Sequence, residues 1–147
     1  HNNYGQFLCK RGQWDRAHEH FMQALENPLY RNPEIPLTNA ALCAMRAKNY
    51  RRAETYFREV LQKNANYPLA LYQMASLLYE QGQHSEAHSY LRRYLRVGPQ
   101  TAETLLLGFR LERALNNRDR AARYATQLRS QYPDSQEARL LNQMERP

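Results

Sequence analysis

Apolar and small residues return along this chain with a period of about 34. One alanine column runs through Ala17, Ala53, Ala87 and Ala121 at spacings of 36, 34 and 34 residues. Upstream of it lie Gly5, Ala41 and Ala75, then Leu8, Ala44 and Leu78. Downstream come Phe21, Phe57 and Leu91, then Ala24, Val60 and Tyr94, then Leu25, Leu61 and Leu95. Within each period the apolar positions fall three and four apart, the spacing that puts them on one face of a helix. The pattern predicts paired helices at about 1–11 and 14–26, 34–47 and 50–63, 68–81 and 84–97, and 101–115 and 118–131.

The columns have a packing logic. Two antiparallel helices approach closely only where one presents almost no side chain and the facing helix supplies a large one; Gly5 or Ala41 is expected to make room, and Ala17 or Ala53 to receive. Between paired helices stand Lys10-Arg11-Gly12-Gln13 and Glu80-Gln81-Gly82-Gln83, where glycine suits the left-handed end of a helix. Asn49 is expected to serve that turn in the second pair. Trp14, Tyr50 and His84 follow the turns and are expected to wedge each hairpin.

The fourth pair departs from the pattern. Gly108 is one position out of phase with Gly5, and Ala125 stands where a large apolar residue is usual, leaving the register open by one. A last helix at about 134–145, capped by Asp134 or Ser135 after Pro133, would cover the exposed end of the stack. The loop Asn27-Pro28-Leu29-Tyr30-Arg31-Asn32-Pro33 carries the two extra residues of the first period. The units are therefore about 1–33, 34–67, 68–100 and 101–133 in a single repeat domain. Asn2-Asn3-Tyr4-Gly5 already reads as helix interior, so the expectation is a piece of a longer array.

Composition agrees with an all-α chain: 147 residues, 42% hydrophobic and 24% charged, with seven prolines mostly between the periodic stretches. No apolar run reaches the roughly 20 residues that span a bilayer. The net charge of +7 favours acidic partners through interactions that salt screens. Cys9 and Cys43 are too few for a disulfide framework, and both lie in apolar helical stretches, so buried free thiols are expected rather than a bridge.

These columns resemble those of the tetratricopeptide repeat family over nearly the whole chain. The resemblance implies a right-handed superhelical solenoid of antiparallel helix pairs with a C-terminal capping helix. Asn2-Asn3-Tyr4-Gly5, then Phe7-Leu8-Cys9 and Gly12, is similar to a central repeat of the type IV pilus biogenesis and stability (PilF/PilW) family. Leu105-Leu106-Leu107-Gly108-Phe109-Arg110-Leu111, with Ala122, Tyr124, Gln127-Leu128 and Tyr132-Pro133-Asp134-Ser135, is similar to that family's last unit. The resemblance implies a lipid-anchored pilotin on the periplasmic face of the bacterial outer membrane. Its partner would be a secretin subunit or another pilus assembly component. The lipid anchor would lie upstream of this chain, since Cys9 sits inside a helix.

Resemblance to other repeat arrays places ligand-facing residues on the first helix of each unit. Those columns fall at Asn2, Gln6 and Lys10, at Ile35, Thr38, Leu42, Met45 and Arg46, and at Leu69, Tyr72, Ser76, Tyr79 and Glu80. Tyr72 and Tyr79, seven residues apart, share a helix face and are the expected centre of a groove with Leu42, Met45, Arg46, Leu69 and Ser76. Such a groove suits an apolar peptide with large anchoring side chains. Packing against neighbouring helices is the alternative for Leu69 and Ile35.

Catalytic chemistry is not expected. His84 and His88 stand four apart, but two ligands do not make a metal site, and His-Ser-Glu-Ala-His is not a zinc-protease motif. Five scattered glycines form no phosphate loop, and no cofactor is implied. Arg110, Arg113, Arg118, Arg120 and Arg123 raise nucleic-acid binding, against which Glu112 and Asp119 interrupt the run and its members spread over two helices. The chain thus reads as a non-enzymatic protein-binding scaffold without nucleic acid. A generic adaptor for an apolar peptide in another complex, and less favourably an RNA-binding helical repeat, stay open as alternatives.

Overall fold

The computed structural model describes residues 2–27 and 32–146. Regular structure among these residues is helical: α1 (Asn2–Lys10), α2 (Trp14–Glu26), α3 (Glu34–Arg46), α4 (Tyr50–Lys63), α5 (Pro68–Glu80), α6 (His84–Val97), α7 (Ala102–Ala114), α8 (Arg118–Gln131) and α9 (Gln136–Met144). Most ends lie within a residue of the expected positions, because turn residues punctuate the period so regularly. Most of the loop expected to hold the two extra residues, 28–31, lies outside the described residues. The chain divides into two compact units, His1–Met74 and Ala75–Pro147, with α5 running through the boundary.

One turn device ends the first helix of every pair. Gly12, Lys48, Gly82 and Asn116 occupy a single column and all have positive φ, between 60° and 80°. The next residue donates its N–H five residues back, from Gln13 to Leu8 O (2.9 Å), Asn49 to Ala44 O (2.8 Å), Gln83 to Leu78 O (2.9 Å) and Asn117 to Glu112 O (2.8 Å). This six-to-one bond satisfies carbonyls that the helix end would leave open. The left-handed residue of the second turn is therefore Lys48 and not Asn49. Asn49 instead caps α4, its side chain accepting from the Arg52 N–H at 3.2 Å.

In the first unit, α1 packs on α2 and α3 on α4, while α3 also meets α1 and α2. Ala17, Phe21, Ala41, Ala53, Phe57, Val60 and Leu71 are wholly buried. Each large one contributes about 1.5–3 kcal/mol over exposure. A Cβ built on Gly5 would stand 2.7 Å from the Phe21 ring, so the residue that Gly5 makes room for is Phe21, one helical turn beyond the expected Ala17. Beside it, Cys9 and Cys43 are joined in a disulfide, their Cα atoms 5.7 Å apart. That corrects the expectation of two free thiols. Neighbouring first helices lie side by side, so the residues that face each other belong to different columns, and column alignment alone hides the pair.

In the second unit α7 packs on α6 and α8, and α9 closes over α7 and α8. Ala87, Leu91, Leu105, Leu111, Leu128 and Leu141 are buried. Ser135, rather than Asp134, caps α9 by accepting from the Ala138 N–H at 3.0 Å. The register question in the fourth pair has a definite answer: a Cβ on Gly108 would stand 2.6 Å from the ring of Tyr124. Both partners are displaced by one residue, so their separation equals that of Gly5 and Phe21.

Candidate functional site

The first helices bury one face and leave another partly open. On α3, Pro36, Leu37, Ala40, Ala41, Cys43 and Ala44 are buried, whereas Leu42 and Met45 are half-buried, Arg46 is exposed and Ile35 is 39% exposed. On the first-unit part of α5, Ala70, Leu71 and Met74 are buried; Leu69 is 39% exposed and Tyr72 half-buried. Helical spacing produces this division, since the open positions fall three or four apart between the buried ones. Thr38 belongs to the buried set and does not face outward as expected; its hydroxyl has no hydrogen-bond partner.

A cleft of about 80 Å³ between α1 and α3 brings Gln6 and Lys10 together with Leu42 and Arg46, and the cysteine pair lines it as well. Asn39 Nδ2 donates to Asn2 Oδ1 at 3.0 Å beside it. Columns assigned separately from two periods thus meet on one surface. In the second unit, Ser76 and Tyr79 are half-buried on α5. The Tyr79 ring lies 5.3 Å from that of His84, tilted against it.

The remaining structural columns behave unevenly. Ala75 is buried with Ala87, and Trp14 and His84 are half-buried, but Tyr50 is 47% exposed and wedges little. No three His, Cys, Asp or Glu side chains converge as metal donors among the described residues. No helix there is long and apolar enough to cross a membrane.

The sequence reading missed a second feature, in the second unit. Glu112 is only 2% exposed, in the column that Leu8, Ala44 and Leu78 fill with apolar side chains. Its Oε1 is hydrogen-bonded by His88 Nε2, Oε2 has no hydrogen bond, and Arg120 Nη1 stands 4.0 Å from Oε2. These groups border a cleft of about 350 Å³ with Arg92, Arg123 and Tyr124. Burial, then the Glu112 carboxylate, pushes the Tyr124 hydroxyl above its usual range, with Arg120 opposing. The clue in the sequence was an acid in an apolar column. The arginine run itself splits: Arg113 lies over the Phe109 ring at 5.2 Å, while Arg120 and Arg123 turn to the cleft.

Tetratricopeptide repeat models match residues 8–70, 44–107 and 105–135. The type IV pilus assembly protein PilF of Pseudomonas aeruginosa is 35% identical over 136 residues, covering 92% of this chain and 54% of that protein. A solved structure from a functional characterization of Pseudomonas aeruginosa PilF superposes with a TM-score of 0.87 at 33% identity, over 98% of this chain and 65% of the other. The structure of PilW, described as a widely conserved type IV pilus biogenesis factor, gives 0.82 at 32% identity over 95% of this chain and 64% of that one. This chain spans about half the length of the curated relative and under two thirds of each solved one.

Proposed function

Because the chain belongs to the tetratricopeptide repeat family and is related to the pilus biogenesis proteins PilF and PilW, we propose that it is a pilotin-like, non-catalytic scaffold. It holds a segment of a type IV pilus secretin and assists that protein's outer-membrane localisation and assembly from the periplasmic face. The observation that carries this reading is the partly open apolar face of the first helices. In the first unit Leu42, Met45, Leu69 and Tyr72 supply it; in the second, taken by itself, α5 carries the half-buried Tyr79 beside Ser76.

Large half-buried side chains on rigid helices are good anchors, because little entropy is lost when a partner covers them. Arg46 and Lys10 at the margin add charge without closing the apolar centre. The Cys9–Cys43 disulfide supports an oxidising compartment such as the periplasm, since such bonds are rare where thiols are kept reduced.

The test is titration of the protein against the purified periplasmic part of the secretin. Tyr72→Ala with Tyr79→Ala should weaken binding by about tenfold or more, the effect of removing anchoring aromatic side chains. Circular dichroism should remain helical. Unchanged affinity in a folded variant overturns the assignment of this face.

A further inference from the structure

We propose that the cleft among α6, α7 and α8 is a second binding site, which takes an acidic segment of a partner protein through an aspartate or glutamate side chain. It is built from the second helices of two pairs over a floor supplied by Glu112, and neither Tyr72 nor Tyr79 lines it. Arg92 projects from α6, and Arg120 and Arg123 from α8. Arg92 and Arg123 have no carboxylate partner among the described residues, and Arg120 reaches Glu112 only at 4.0 Å, with 63% of its side chain exposed. Three guanidinium groups against one carboxylate leave the cleft net positive. Guanidinium is the side-chain group best matched to a carboxylate, through paired N–H donors.

The buried glutamate decides which anion fits. Glu112 Oε1 is occupied by His88, and Oε2 is buried without a hydrogen bond. A buried carboxylate oxygen in that state is costly, and the group that satisfies it must be a donor. Oε2 is closed to solvent and faces Arg120 at 4.0 Å, so the occupant presents an anion to the arginines and, toward the Glu112 side of the cleft, an N–H rather than a second acceptor. An acidic residue in a peptide has both, its carboxylate and its backbone amide lying a few bonds apart. A phosphodiester group offers oxygen acceptors and carries no N–H beside its charge. The cleft volume of about 350 Å³ admits one or two side chains rather than a folded surface.

The probe is a fluorescent peptide blocked at both ends, with glutamates separated by glycines, followed by anisotropy with the full 147-residue chain. Arg92→Ala with Arg123→Ala should weaken it at least tenfold. Arg96→Ala with Arg118→Ala removes the same charge outside the cleft and should change affinity less than twofold. All four arginines are exposed, and circular dichroism checks that the variants stay helical. Tyr72→Ala with Tyr79→Ala should leave peptide binding intact, which separates this site from the apolar face. Absence of binding, or equal losses in both arginine pairs, overturns the proposal. So does tighter binding of single-stranded RNA lost with Arg92 and Arg123, or displacement of the peptide by equimolar inorganic phosphate.

Discussion

Gly108 lies against the ring of Tyr124 as Gly5 lies against the ring of Phe21, sixteen residues ahead of its partner in both cases. The common alignment puts Ala125, not Tyr124, in the large-residue column. Since Ala125 cannot fill the space, the ring arrives one position earlier, and the residue without a side chain moves with it. What is preserved is the pair, and the column is secondary.

Gly108→Ala tests that coupling. In a helix interior the exchange should stabilise by about 1 kcal/mol. Here a Cβ would meet the Tyr124 ring at 2.6 Å, and such overpacking costs about 1–3 kcal/mol. The expected net result is a loss of stability in urea denaturation. With Tyr124→Leu already present, the same exchange should become neutral or stabilising, because the ring that opposed it is gone. An equal effect in both backgrounds would show that the contact does not govern the register.

The Cys9–Cys43 bond spans 34 residues, and closing a loop of that size is worth about 3–4 kcal/mol in the chain-entropy account. Thiol reductant should therefore lower the melting temperature of the native chain and leave that of a Cys9→Ala, Cys43→Ala variant unmoved. The oxidised protein should resist alkylation until unfolded and reduced. Rapid labelling of two thiols in the native protein would contradict the bond.

Periodicity made the helix pairs legible because each depends on local spacing and on one left-handed turn residue, even where lysine occupies that place at Lys48. The disulfide was not legible, since Cys9 and Cys43 meet across neighbouring helices from different columns. The same limit hid the basic cleft. Arg92 lies far in sequence from Arg120 and Arg123, and Glu112 looked like a surface charge breaking an arginine run. Burial turns Glu112 from an interruption into the floor of a site. Columns identify which residues face inward; they do not reveal what lies opposite them.

His18 should make stability depend on pH. Burial, reinforced by Arg52 and opposed by Asp15 and Glu19, holds its ring below the ordinary value of 6.5, and Nδ1 stands 2.6 Å from the Tyr56 hydroxyl. The fold thus favours the neutral ring. Its contribution is complete above pH 6.5 and is lost as pH falls through 6.5 toward the lower folded value, because the unfolded chain binds the proton first. The denaturation midpoint of the native chain should drop more steeply over that range than that of His18→Gln. The other histidines are common to both proteins, so identical profiles would remove His18 as a cause.

Helix α9 should be required for the second unit's core. Ala138 and Leu141 are buried in one cluster with Leu105, Leu106, Phe109, Ala121, Ala125 and Leu128, and Ser135 fixes the helix start. Ending the chain after Asp134 would expose that cluster to water and leave the α7–α8 pair with an uncovered apolar side. The truncated protein should bind a hydrophobic dye and unfold at lower urea. Leu141→Ala alone should cost about 2–5 kcal/mol, the range for a wholly buried leucine, while Gln143→Ala on the exposed side should cost little. If the truncated chain keeps the full midpoint, the cluster is complete without α9, and the last helix adds nothing to the fold it covers.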